Sequence, residues 1–140
     1  MRKKILFLVM LMLPISVGAQ EEKFDWTPVM DAIIQVESKG NPKAHNPVGD
    51  CAGILQITPG LVKQCNTWLK VKKSKKRYTL RDRYNVSKSK EMFEMYQHYL
   101  NPSNDVEKAI RIWNGGPGYS VSKTNGYLKK VMKYYKKEAD

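Results

Sequence analysis

The chain has 140 residues, 41% of them hydrophobic and 27% charged, with a formal net charge of +12. That length holds one domain rather than two, and the composition excludes an intrinsically disordered chain. The charge bears on partners rather than on fold: it favours polyanions such as wall polymers, stem-peptide carboxylates, membrane surfaces or nucleic acid.

The N-terminus reads as a secretory leader. Arg2, Lys3 and Lys4 precede the apolar run Ile5 to Leu13; Pro14 breaks it, and Val17-Gly18-Ala19 supplies the small residues that signal peptidase reads. The nine apolar residues fall well short of a membrane-crossing helix, which needs about 20. The expected division is therefore a signal peptide at 1–19 and a folded domain at 20–140. Losing the three basic residues of the leader lowers the net charge from +12 to +9. The protein is expected to be exported, periplasmic or extracellular, with no transmembrane anchor.

In chain order, Thr27-Pro28 has the form of an N-cap followed by a first-turn proline. Val29, Ile33 and Val36 then share a helical face, and Gly40-Asn41-Pro42 ends the helix. Residues 41–53 hold Pro42, Pro47, Gly49 and Gly53 and read as a long loop, followed by a short extended stretch at Ile54–Ile57. Connections of this length are often functional. Thr58-Pro59 opens a second helix through about Trp68. Lys70 to Arg77 carries six basic residues in eight positions and reads first as a solvated loop. A third helix spans about Ser87 to Leu100, and Asp105 caps a fourth that stops at Gly115-Gly116-Pro117-Gly118. A last helix begins near Asn125. The expectation is a mostly α, single compact domain with a long loop and little or no strand.

Glu37 falls at the end of the first helix, on the face that also carries Met30 and Ile33. A carboxyl sharing an edge with core residues is partly desolvated, which penalises its charged form and suits it to donate a proton. Helical geometry alone favours a surface glutamate, so the catalytic reading needs other support. Cys51 and Cys65 form an even pair in an exported chain, which favours a disulfide over the alternative of two buried thiols. His45 and His98 are far apart and show no paired metal-ligand spacing, so no metal and no cofactor is expected. The GGPG segment ends a helix instead of following a strand, which removes the phosphate-loop reading.

The string around Glu37 carries more. Glu37-Ser38 is followed by Asn41-Pro42 and Ala44; then come Gly53-Ile54-Leu55-Gln56 with Ile57 and Pro59, Ile112-Trp113-Asn114-Gly115-Gly116, and Tyr127 in the final helix. Taken together in this order, they resemble the lysozyme-like lytic transglycosylases of the soluble-lytic-transglycosylase type. Three departures are visible: Leu55 stands where the family has Met, a volume-conserving change; Trp113 stands where it has Tyr, leaving a donor-only indole; and Asp50 stands where many members have a small residue, putting a second acid near the expected cleft.

The resemblance implies a lysozyme-like fold and a peptidoglycan lytic transglycosylase. Glu37 would protonate the glycosidic oxygen of the MurNAc-GlcNAc β-1,4 bond. It would then take the proton of the C6 hydroxyl as that oxygen closes on C1, giving 1,6-anhydro-MurNAc. Ser38 would hold Glu37; Gln56, Asn114 and Tyr127 would bind or orient; Gly53, Gly115 and Gly116 would let the backbone approach the glycan. Two rivals stay open. One is a lysozyme-type hydrolase that pairs Glu37 with Asp50, since ordinary glycosidases use two carboxyl groups. The other is a non-catalytic cell-wall-binding module. The expected partner is the glycan strand, met by a monomer. The setting is wall turnover or local wall opening for a secretion or conjugation apparatus. No recognition motif supports nucleic acid.

Overall fold

A computed structural model describes Gly18 and residues 21–136. The expected leader at 1–19 lies outside the described residues except for Gly18.

Helix α1 (Thr27–Glu37) carries Pro28 in its first turn, where the missing N–H has no intrahelical partner to lose. The cap differs by one residue from expectation: Trp26 takes the N-cap position without a side-chain cap bond, and Asp25 Oδ1 accepts from the Thr27 amide at 2.9 Å. Val29, Met30, Ala32, Ile33 and Ile34 are all buried, so the helix enters the core on a broad face and delivers Glu37 at its last position.

The connection after α1 holds a short antiparallel pair, β1 (His45–Asn46) and β2 (Cys51–Ala52), with His45 opposite Ala52 and Asn46 opposite Cys51. The stretch expected to be extended at Ile54–Ile57 is instead a tight turn. Ala52 and Ile57 exchange backbone hydrogen bonds of 3.1 and 2.9 Å across it. Gly53 (φ +81°) and Gln56 (φ +52°) are left-handed, which ends any strand. The apolar residues still do what their composition suggests: Ile54, Leu55 and Ile57 are buried beneath the loop.

Helix α2 (Pro59–Val71) is capped as its sequence predicts, Thr58 Oγ1 accepting from the Leu61 amide at 3.2 Å, and it runs one turn past Trp68. A 3-10 turn at Leu80–Tyr84 follows, unforeseen in the sequence; Asp82 accepts from the Thr79 amide at 2.8 Å to start it. Helix α3 (Val86–Leu100) buries Met92, Phe93 and Tyr96. Helix α4 (Val106–Gly115) starts at Asp105, whose carboxylate accepts from the Lys108 amide at 2.8 Å. Helix α5 (Val121–Met132) begins four residues before the expected Asn125, with Ser120 as its cap. Tertiary contact explains the early start: Arg111 of α4 donates to the Val121 carbonyl at 2.9 Å and to Thr124 Oγ1 at 2.8 Å.

One core joins these elements, centred on fully buried Ile33, Leu55, Ile57, Phe93, Ile110 and Val131. Helix α5 packs on both α4 and α1. Mostly helical architecture with minimal strand is as the sequence predicts. The disulfide is a correction: Cys51 and Cys65 are both free thiols. Cys65 is committed to the core face of α2 beside Val62 and Leu69, its Sγ 3.9 Å from the Met92 carbonyl. Burial there pushes its thiol up to about 12. Among the described residues no helix is long and apolar enough to cross a membrane.

Candidate active site

Glu37 opens onto a cleft of about 680 Å³. The hairpin contributes Asn46 and Cys51, α2 contributes Leu61, Gln64 and Trp68, and the end of α4 contributes Trp113 and Asn114. Glu37 is the one acidic side chain among the described lining residues.

Two opposing effects act on its carboxyl. Burial at the junction of α1 and α5 raises its pKa, and a hydrogen bond from Tyr127 partly lowers it. The Tyr127 hydroxyl donates to Glu37 Oε1 at 2.6 Å, a short contact that orients the carboxyl. Tyr127 is itself pushed well above the ordinary phenol range, first by burial and then by the negative charge of Glu37, so it stays a donor.

Gln56 takes its place through backbone strain. Its left-handed conformation turns the side chain back over the loop, where Nε2 donates to the Ala44 carbonyl at 3.2 Å and the Gly53 carbonyl at 2.9 Å. It clamps the loop and also lines the cleft. Asn114 is exposed at the cleft edge. Trp113 anchors the opposite side: its indole donates to the Leu55 carbonyl at 3.2 Å, using the only donor the ring has.

Four expected site residues fall elsewhere. Ser38 does not bond Glu37; its hydroxyl donates to the Ile54 carbonyl at 2.8 Å and ties the end of α1 to the turn after β2. Gly53 serves the fold. A Cβ there would stand 1.8 Å from the Arg83 carbonyl oxygen, so the glycine admits the 3-10 turn rather than a sugar. Gly115 likewise makes room for α5, where a Cβ would meet Tyr119 at 2.8 Å and Thr124 at 3.0 Å, whereas Gly116 reaches the cleft. Asp50 is not among the lining residues. It pairs with His45 Nε2 at 2.8 Å and with Arg83 Nη1 at 3.5 Å. The His45 hydrogen bond, with help from Arg83, holds its carboxyl below the ordinary range.

Arg83 is the residue that sequence reasoning missed. Buried, it donates to the Ile57 carbonyl at 3.2 Å and to the Asp50 and Leu80 carbonyls, joining the 3-10 turn to the hairpin that walls the cleft. Its only sequence signal is a basic residue beside a capped turn. Among the described residues no group of three or more His, Cys, Asp or Glu side chains gathers to hold a metal.

The helical layers, the short hairpin and the cleft between them define a lysozyme-like domain. The chain belongs to the transglycosylase SLT domain family, whose model matches residues 15–137. Among solved structures, the 70 kDa soluble lytic transglycosylase of Escherichia coli matches with a TM-score of 0.66 and 21% identity. The match covers 80% of this chain and 21% of that one, so the chain spans about a fifth of the larger protein. No curated protein matches.

Proposed function

We propose that this chain is a peptidoglycan lytic transglycosylase that cuts the MurNAc-GlcNAc β-1,4 bond. The observation that carries the reading is a single desolvated carboxyl, hydrogen-bonded by Tyr127, as the one acid among the described residues lining a saccharide-sized cleft.

In the ground state, burial favours protonated Glu37. The acid gives its proton to the glycosidic oxygen as the C1–O bond breaks. The resulting carboxylate, stabilised by the Tyr127 hydroxyl, accepts the proton of the muramic acid C6 hydroxyl while that oxygen bonds C1. The product is a 1,6-anhydro sugar, Glu37 is protonated again, and no water is consumed. The internal hydroxyl is held close to C1, so proximity replaces a second carboxylate and its activated water. Gln56 and Asn114 offer amide groups to the substrate.

The rival hydrolase needs a second carboxyl that polarises water from across the sugar. Asp50 is its candidate, yet that carboxylate is occupied by His45 and Arg83. Mass spectrometry of muropeptides after digestion separates the two: anhydro ends support cyclisation, and products heavier by one water overturn it. A non-catalytic wall-binding module would leave the glycan intact, and Glu37→Gln would change nothing. The proposed enzyme works outside the cytoplasm as a monomer without a cofactor, in wall turnover or beside a secretion or conjugation apparatus. An N-terminus at Gln20 in the exported protein checks the first of these points.

A further inference from the structure

Helix α2 has three faces. Val62, Cys65 and Leu69 enter the core. Gly60, Leu61, Gln64 and Trp68 line the active cleft. The third face carries Lys63, Asn66, Thr67 and Lys70 at i, i+3, i+4 and i+7, which places them in one stripe. This stripe forms one side of a second groove of about 510 Å³, whose other side is the segment from Arg77 to Leu80.

The groove is built rather than incidental. Asn66 stitches its two sides together, donating to the Tyr78 carbonyl at 2.8 Å and accepting from the Tyr78 amide at 2.7 Å. Three cations line it, Lys63, Lys70 and Arg77, and no carboxylate does. Arg77 is preset by the Ser74 and Lys76 carbonyls, at 2.7 and 2.6 Å. Asp82, three residues past Thr79, is committed to the Thr79 amide and to Lys88. Lys63 and Lys70 make no ion pair among the described residues. Elsewhere on this helix and loop, Lys76 does find a carboxylate in Glu91. The positive charge of the groove is therefore left uncompensated.

We propose that this groove docks the acidic stem peptide of the glycan strand held in the neighbouring cleft, an inference that rests on the reading of that cleft as a peptidoglycan site. Pro59 lines the groove and the adjacent Gly60 lines the cleft, so the two surfaces meet at the start of α2. A single helix separates them, about 10 Å across with its side chains. An extended peptide of three residues spans about 10 Å, so a stem attached to a sugar in the cleft reaches the lysines. The groove suits an extended chain with spaced carboxylates, since Lys63 and Lys70 are seven residues apart, about 10 Å along the helix.

The test uses the full mature chain carrying Glu37→Gln, so that binding is read without cleavage. Titration calorimetry compares stem-bearing glycan strands with the same strands stripped of peptide by an amidase. The expected result is tighter binding of stem-bearing strands, a preference that falls by about tenfold in Lys63→Glu/Lys70→Glu at low salt and is screened by added salt. Affinity for stripped strands stays unchanged, as does the preference in a control with equal charge change, Lys129→Glu/Lys133→Glu. Lys63→Gln/Lys70→Gln, which introduces no repulsion, should lose part of the preference, and an unchanged thermal melt shows that the variants fold. Equal binding of both strands by the parent overturns the groove proposal and leaves the cleft reading standing. A loss shared by stripped strands, or one reproduced by the control, overturns it too. So does a groove that answers only to vesicles of anionic phospholipid. Failure to bind stripped strands at all indicts the cleft itself.

Discussion

Removing the Tyr127 hydroxyl is the sharpest probe of the site. Tyr127→Phe keeps the ring that packs against the core but deletes the 2.6 Å hydrogen bond to Glu37 Oε1. A hydrogen bond to a charged partner contributes about 1.5–3 kcal/mol. In the wild type it favours the carboxylate, opposing the burial that favours the acid. Its loss raises the Glu37 pKa further. As a proton donor, Glu37 works only below its pKa, so the alkaline limb of kcat/KM moves to higher pH in the variant. The second half of the cycle needs the carboxylate, which has lost its stabilising donor and its fixed rotamer. If most of the hydrogen-bond energy is realised there, kcat falls by roughly 10- to 100-fold. The assay is release of anhydro-muropeptides from purified sacculi across a pH series, with thermal melts to verify folding. An alkaline limb that moves to lower pH, or a variant with wild-type rate and profile, refutes the assignment of Tyr127 as the partner of a buried acid.

Other outcomes follow from the same contacts. Glu37→Gln should abolish cutting yet make the domain more stable at neutral pH. A carboxyl whose folded pKa lies above its unfolded one costs stability as pH rises through that interval, and the amide does not titrate. Melts at acid and neutral pH check this, and a wild-type gap that widens toward acid contradicts it. Asp50→Asn should leave the rate within about twofold, in keeping with exposed pairs being worth about 0–1 kcal/mol; a collapse of activity would revive the hydrolase. Gly53→Ala forces a Cβ to within 1.8 Å of the Arg83 carbonyl from a left-handed backbone. It should cost about 3 kcal/mol or more in urea unfolding. Thiol titration of the unfolded protein should find two free sulfhydryls per chain, whereas a mass two hydrogens lighter would restore the bridge.

Elements with a local signal were legible. Thr58 and Asp105 cap α2 and α4 because a short oxygen-bearing side chain beside a helical run has one obvious use. Glu37, Gln56, Asn114 and Tyr127, named by the family resemblance, share a cleft or a hydrogen bond although the chain separates them widely. What escaped depends on distant neighbours. Nothing local says that Gly53 must admit the Arg83 carbonyl, or that Arg83 will tie Ile57 and Asp50 to a turn some thirty residues on. Ser38 adjoins Glu37 in sequence, yet its hydroxyl donates to the distant Ile54 carbonyl. Helix α5 was begun late because Val121 to Gly126 is a poor helix former; bonds from Arg111 supply what propensity lacks.

The bond between Glu37 and Tyr127 joins residues 90 positions apart, one from the first helix and one from the last. The proposed proton donor thus lacks its partner until α5 docks on α1 and α4, which makes the final dozen helical residues an assembly checkpoint. A chain still emerging from a ribosome has Glu37 in open water, without the burial that raises its pKa in the fold. Under the proposed function, the domain gains its activity only when the last helix is in place.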